Sequence, residues 1–341
     1  MILVTGGTGY IGSHTAVELI ENGYEVVVAD NLSNSRRDVL DGIRAITGKI
    51  PFFEQIELCD QVMVKALFRK YPGITGVIHF AAYKAVGESV EKPLKYYENN
   101  LLSLIRLLNE MLANNIKNLV FSSSCTVYGQ PEELPVTENF PFGEADSPYG
   151  NTKQIAEEII KDTIKANNNL NCISLRYFNP IGAHPSALIG EIPVGIPNNL
   201  VPYITQTAAG VREELRIFGN DYNTPDGTCI RDYINVTDLA KAHIAALKRL
   251  SGLRNRKSYE AFNLGTGNGT SVLEVIRAFE KATGKKLKYR IVGRRPGDIE
   301  RVFADTSLAN RELGWRSETS LEDTLFSAWN WEEQYRKENK E

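Results

Sequence analysis

A doubly wound α/β fold is what this sequence predicts: a parallel, Rossmann-type sheet with helices on both faces, joined to a smaller α/β substrate-binding unit. Three observations predict it: short apolar runs alternating with helix-like stretches, a glycine-rich turn directly after the first run, and an acid closing the second. The first run, ILVT at 2–5, breaks at a glycine cluster, after which Ile11, Ala16, Leu19 and Ile20 recur at helical spacing. The second, Val26 to Ala29, ends at Asp30, and further strands are predicted at Val77 to Ala81, Leu119 to Ser122 and Ile173 to Leu175. Each is apolar on both faces, as strands of a parallel sheet covered on both sides must be. This pattern defines a first domain at 1–179.

Beyond Asn179 the texture changes. Pro185, Gly190, Pro193, Gly195, Pro197 and Pro202 punctuate a segment with little periodicity, the composition of loops that clasp a ligand. Helical spacing returns at Val236 to Leu250, at Val272 to Thr283 and in an amphipathic stretch from Leu321 to Tyr335. These form a second, substrate-binding domain at 180–341, with part of 232–262 expected to pack back on the first.

Composition excludes several classes of function. With 341 residues, 42% of them hydrophobic and 24% charged, and a net charge of -3, the chain reads as a globular enzyme of two packed domains. No basic stripe recruits nucleic acid; the pairs Arg36-Arg37 and Arg294-Arg295 are far weaker signals. No apolar run approaches membrane-spanning length and no leader precedes the first strand, so the expected location is the cytoplasm and no membrane partner is expected. Cys59, Cys125, Cys172 and Cys229 are too widely spaced for a zinc site or a disulfide framework, so reduced thiols and no metal are expected.

The glycine turn reads Thr5-Gly6-Gly7-Thr8-Gly9-Tyr10-Ile11-Gly12, placing Gly6, Gly9 and Gly12 in a G-x-x-G-x-x-G register. Residues without a Cβ let the backbone turn tightly, admit a pyrophosphate against a helix N-terminus and let helix pack closely on strand. An isolated glycine turn means little. Here it follows a strand, opens a helix and is answered by Asp30 at the next strand end, where a carboxylate accepts from ribose hydroxyls and repels a 2′-phosphate. The cofactor predicted is therefore NAD rather than NADP.

The strand ending Phe121-Ser122-Ser123-Ser124 brings a hydroxyl, Ser124, to the carboxyl edge of the sheet. Ser147-Pro148 reads as an N-cap followed by proline at the first helical position, so Tyr149 opens a helix and Lys153 lies one turn on, on the same face. A free tyrosine, with a pKa near ~10, is a poor base at neutral pH; a neighbouring ammonium and a positive nicotinamide ring favour its phenolate. Ser124 can hold the same substrate hydroxyl. A Y-x-x-x-K spacing arises by chance on many helices, and it gains meaning from the glycine turn and serine-rich strand end that accompany it.

At these residues the chain resembles the extended short-chain dehydrogenase/reductases and, within them, the UDP-glucose (UDP-galactose) 4-epimerase family. The resemblance spans nearly the whole chain: TGGTGYIGSH at the start, HFAAYKAVGESV at 79–90, FSSSCTVYG at 121–129, SPYGNTK at 147–153 and RYFNPIGAHPS at 176–186. It continues through GIPNNLVPY at 195–203, IFGNDYNTPDGTCIRDYINVTDLA at 217–240, NLGTG at 263–267 and RRPGD at 294–298. The resemblance implies reversible inversion at C4 of a UDP-hexose through a transient 4-keto sugar, catalysed by Tyr149, Lys153 and Ser124. It implies NAD held by Gly6, Gly9, Tyr10, Ile11, Gly12, Asp30, Asn31, Asn34, Ser35, Phe80, Ala81, Ala82, Lys84, Asn99 and Phe178, with Ser124, Tyr149 and Lys153 also in contact. It further implies a UDP-sugar held by Asn179, Asn199, Leu200, Phe218, Arg231, Tyr233, Arg295 and Asp298, alongside Lys84, Ser124 and Tyr149. A homodimer through two long helices of the first domain is implied in the same way.

One position departs from the family pattern. Near the adenine an aspartate and an aliphatic residue are usual, and Glu57-Leu58 stands there, keeping the acid but lengthening it. Two rivals are weaker. Nucleotide-sugar dehydratases and decarboxylases begin with the same oxidation but place an acid just after the strand serine, where this chain has Cys125 and Thr126. A non-catalytic NAD sensor would need no Tyr-Lys pair. Val302, in GDIERVFAD, matches the family position that borders the C2 substituent of the sugar; a small residue there admits an N-acetyl group. It can equally be a strand residue turned into the core, and both readings stand at this point.

Overall fold

A computed structural model describes residues 1–295 and 298–339. Six strands of the first part of the chain, β1 (Ile2–Thr5), β2 (Val26–Asp30), β3 (Phe52–Gln55), β4 (Gly76–His79), β5 (Asn118–Ser124) and β6 (Asn171–Tyr177), alternate with helices. The helices are α1 (Tyr10–Glu21), α2 (Val39–Thr47), α3 (Gln61–Lys70), α4 (Val86–Glu91), α5 (Pro93–Ala113) and α6 (Pro148–Ala166). After β6 come β7 (Asn179–Ile181), α7 (Leu200–Ala208), β8 (Leu215–Phe218), β9 (Ile230–Arg231), β10 (Tyr233–Asn235), α8 (Val236–Ser251) and β11 (Tyr259–Leu264). The chain ends with β12 (Thr270–Ser271), α9 (Val272–Thr283), β13 (Tyr289–Val292), β14 (Arg301–Val302), α10 (Ser307–Glu312) and α11 (Leu321–Asn339).

The main sheet has seven strands in the order β11-β6-β5-β4-β1-β2-β3, every pairing parallel. Alternation along its strands divides the core in two. Ile2, Val4, Val26 and Val28 enter one apolar cluster, and Leu3, Val27 and Ala29 enter the other, so both faces are buried. This is why the central strands read as continuous apolar runs, and why truncating Ile2 or Leu3 to alanine should cost about 2–5 kcal/mol.

Three of the elements that the sequence pattern misses have a plain physical reason. β3 is an edge strand with Phe52 and Gln55 exposed, so it carries no two-sided apolar run. β11 (YEAFNL) is apolar mainly in its second half, yet it joins β6 and returns the chain to the first sheet, while α8 packs on α1. α7 lies in the segment read as loop, because Pro202 suggests a break. It sits in the first turn, where its missing N–H forfeits no helical bond.

The second unit packs α7, α9 and α11 around the parallel pair β8–β13, with Ile204, Ile217, Phe279, Leu325 and Trp329 at its centre. It is tied to the first unit where the Tyr10 hydroxyl donates to Gly182 O at 2.6 Å. No helix among the described residues is long and apolar enough to cross a membrane. The four cysteines are free thiols, and no metal-binding cluster of His, Cys, Asp or Glu occurs among the described residues.

Candidate active site

The site lies along the C-terminal ends of β1, β2, β4, β5 and β6, where the strand order turns back between β1 and β4. After β1 the chain turns through Gly6 at φ +67°, a left-handed conformation suited to glycine. A Cβ on Gly6 would stand 2.8 Å from Ala81 N, and one on Gly12 only 2.3 Å from Gly6 O. Gly9 caps α1 with no side-chain hydrogen bond, and no acid occupies the first turn. The leading amides and positive end of α1 therefore have no anion from the protein, which suits a pyrophosphate.

Asp30 is buried at the end of β2. Its Oδ1 accepts from Leu32 N at 2.9 Å and the Ser35 hydroxyl at 3.0 Å, and its Oδ2 from Thr8 N at 3.2 Å. Leu32 takes φ +62°, unusual for a residue with a side chain, and the bond to Asp30 holds it there. Asn31 donates to Glu57 Oε2 at 2.8 Å, so the lengthened acid is engaged by the residue that follows Asp30; Leu58 is buried in the apolar core. Asn34 is exposed in the same turn. Arg36 and Arg37 precede α2 rather than start it: Arg36 pairs with Asp38 and Tyr335, and Arg37 lies over the Phe53 ring. Arg36 is thereby paired with an acid of its own turn.

The wall beyond β4 carries Phe80, Ala81 and Ala82, all partly buried, and then Lys84, whose Nζ stands 5.9 Å from the Tyr10 ring centroid. Ile11 packs into the core beneath α1, and Phe178 into a separate apolar cluster. The Asn99 amide donates to Asn100 Oδ1 at 2.9 Å. A dinucleotide fits this groove: crowded glycines floor it, an uncapped helix end faces it and a buried carboxylate closes it.

At the end of β5, Ser124 is buried and its Oγ accepts from Thr126 N at 3.2 Å. Ser147 caps α6 by accepting from Gly150 N at 3.2 Å, with Pro148 following, so Tyr149 and Lys153 leave the helix on one face. Lys153 Nζ donates to Ser122 O at 2.6 Å and lies 5.9 Å from the Tyr149 ring centroid. Burial pushes Tyr149 up to about 12, a Ser124 hydrogen bond acts against that rise, and proximity to Cys125 adds to it. Burial also pulls Lys153 down to about 8, opposed by the charge of Glu157. Burial thus disfavours the charged form of both partners, against the effect the sequence reading expects from their proximity.

On the opposite wall, Asn179 opens β7 and pairs in register with Tyr233 of β10. Asp298 Oδ1 gathers two guanidiniums, Arg295 at 3.0 Å and Arg231 at 3.3 Å, and Arg295 stands 5.7 Å from the Phe218 ring centroid. Two cations on one carboxylate leave a net positive site beside an exposed aromatic face, suited to a diphosphate and a flat base. Asn199 and Leu200 open α7, with the Asn199 amide on Glu191 Oε1 at 3.0 Å. Val302 is buried in one apolar cluster with Phe178 and Tyr128, and Cys125 packs against that cluster. The burial of Val302 there is that of a strand residue turned into the core.

Sequence reasoning overlooked His79 and Glu191. His79, at the end of β4, meets Thr5 Oγ1 through Nδ1 at 2.7 Å, and burial, aided by the Lys153 charge, pulls it to about 3, so it is neutral under the lysine. A polar ring in the middle of the predicted strand Val77 to Ala81 was the available signal. Glu191 had only the signal of being an acid in a Pro/Gly-rich clasp.

A sequence model of the family described as GDP-mannose 4,6 dehydratase matches residues 3–327. The chain is 53% identical over 331 residues to the UDP-glucose 4-epimerase of Bacillus subtilis (strain 168), covering 97% of this chain and 96% of that protein. A crystal structure of UDP-glucose-4-epimerase from Stenotrophomonas maltophila, with bound NAD and formylated UDP-arabinopyranose, superposes with a TM-score of 0.95 at 47% identity, covering 99% of each chain. The UDP-glucose 4-epimerase of Bifidobacterium longum, in complex with NAD+ and UDP, gives 0.93 at 47% identity over 98% of each chain.

Proposed function

The chain belongs to the UDP-glucose 4-epimerase family, and on that premise we propose that it interconverts UDP-glucose and UDP-galactose by oxidising and re-reducing C4. The observation that carries this reading is the convergence of Tyr149, Lys153 and Ser124 at the end of β5, with no carboxylate in the two positions that follow. Dehydratases need an acid there to work at C5 or C6; Cys125, its thiol pushed up to about 12 by burial, and Thr126 cannot serve. The chemistry therefore stops at inversion.

The glycine turn, Asp30 and Lys153 would hold NAD, which when bound would supply a reversible hydride acceptor and a positive charge that favours the phenolate. Tyr149 takes the proton from the C4 hydroxyl and returns it after the sugar has turned over. Ser124 holds that hydroxyl during transfer, and Lys153 supports the phenolate. Arg231, Arg295 and Asp298 hold the diphosphate and ribose while Asn179, Asn199, Leu200, Phe218 and Tyr233 grip the rest of the nucleotide, so UDP stays fixed as the sugar rotates. Lys84 reaches both ligands. This division of labour supports a cofactor unit at 1–179 and a substrate unit at 180–341. Val302 in place of a bulkier ring leaves room at C2, so N-acetylated UDP-hexoses are substrates too. A homodimer packed through the long helices of the first unit is supported by Leu94 and Ile105 lying exposed on α5, and the cytoplasm is the location proposed.

The test is incubation of purified protein with UDP-galactose and with UDP-N-acetylgalactosamine, no cofactor added, followed by separation of products. Conversion of UDP-galactose to UDP-glucose supports the reading; a dehydrated sugar, or no product, removes it. Conversion of the N-acetylated sugar decides the question of breadth separately.

A further inference from the structure

We propose that Glu191 is a positioning residue that locks the nucleotide-binding edge of the second unit to the cofactor wall of the first. The inference rests on the roles given above to Lys84 and Asn199. One carboxylate oxygen of Glu191 accepts from Lys84 Nζ at 3.3 Å and from Asn199 Nδ2 at 3.0 Å. The two donors come from different units, Lys84 from the segment after β4 and Asn199 from the cap of α7. Neither long polar side chain has another hydrogen-bonding partner to fix its direction among the described residues.

The main chain that carries this carboxylate is held in place. The Glu191 carbonyl oxygen accepts from Trp331 Nε1 at 3.0 Å, and a Cβ on the preceding Gly190 would stand 2.4 Å from the Trp331 ring, so indole lies directly on backbone there. The Glu191 side chain is 14% exposed, which limits screening of its charge. The contact with Asn199 also closes the base of the loop at 192–198, whose Val194 and Ile196 are exposed and give it little packing of its own. An anion at this point orders a loop, aims an amide at the nucleotide and parks a cation beside Tyr10. Without it, ordering Asn199 and Lys84 falls to the substrate, and that entropy is taken from binding rather than from the chemical step.

Steady-state kinetics with UDP-galactose on the purified holoenzyme test this. Glu191→Ala should raise KM about tenfold or more, the scale of a lost charge-assisted hydrogen bond, with kcat within about threefold. Glu191→Gln, which keeps an acceptor without the charge and preserves volume, should fall between, and guards against misfolding of the alanine variant. The pair Glu191→Ala/Asn199→Ala should raise KM by less than the product of the two single effects, since the Asn199 contact is shared and only the one with Lys84 remains separate. An unchanged KM in Glu191→Ala, a loss confined to kcat, or additive effects in the pair would overturn the inference while leaving the function intact. If Asn199→Ala alone leaves KM unchanged, the assignment of Asn199 to the nucleotide falls and the inference falls with it.

Discussion

Replacing Lys153 by methionine removes one buried charge and keeps the length of the side chain. The Lys153 ammonium lies 5.9 Å from the centre of the Tyr149 ring, over which a phenolate spreads its charge. At an effective dielectric near 20, unit charges about 6 Å apart attract by about 3 kcal/mol, equivalent to about two pH units on Tyr149. Since Lys153 sits at about 8, it is mostly charged at neutral pH and this attraction is present there. Losing it leaves only the Ser124 hydrogen bond to oppose burial and drives Tyr149 higher. The ascending limb of kcat/KM against pH should therefore move upward by about two pH units, and activity at pH 7 should fall about a hundredfold. Ser122 O loses its donor, at a cost of about 1–3 kcal/mol that a chain of this size tolerates. The assay is a full pH profile of kcat/KM with UDP-galactose, NAD being measured on the same samples. A variant whose limb coincides with that of the wild type, or whose loss is the same at every pH, would refute the electrostatic role of Lys153.

Three further outcomes are expected. Asp30→Ala should release NAD from protein purified without added nucleotide, measured as dinucleotide freed on denaturation; full retention would detach Asp30 from the ribose. Val302→Tyr should lower conversion of UDP-N-acetylgalactosamine by about a hundredfold while sparing UDP-galactose, and equal effects on both, or none, would show that Val302 sets no limit at C2. Acid should destabilise the fold through buried neutral histidines: burial holds His14 and His79 at about 3 and His243 at about 4, below their ordinary 6.5. The unfolded chain then binds the extra protons, so stability is full above about 6.5 and falls as pH drops toward 3–4, by about 2 kcal/mol per histidine at pH 5. Thermal melts that do not change between pH 7 and pH 5 would contradict this.

The parts of this molecule that are legible in its sequence are those whose chemistry is local. The glycine turn follows from steric crowding within a few residues, and Ser147-Pro148 announces the start of α6 by capping alone, which fixes the Tyr149–Lys153 face. The central strands are apolar on both sides because both faces of the sheet are covered. What escaped depended on distant partners. β3 and β11 lie at the two edges of the sheet, where one flank has no neighbour to impose a pattern, and α7 begins under a proline that matters only if it falls after the first turn. The contact of Glu191 with Lys84 joins residues 107 positions apart, and no local periodicity encodes it. Burial likewise sets the Tyr149 and Lys153 pKa values against the effect of their proximity, and burial belongs to the folded whole.

The central claim is that one carbon is oxidised and then reduced again by the same hydride. UDP-galactose carrying deuterium at C4 tests it most directly. UDP-glucose formed from it should retain the label at C4 in full, with no exchange into solvent and no net NADH. Label lost to water would point to proton abstraction at carbon, and label recovered at C6 of a dehydrated sugar would make this chain a dehydratase.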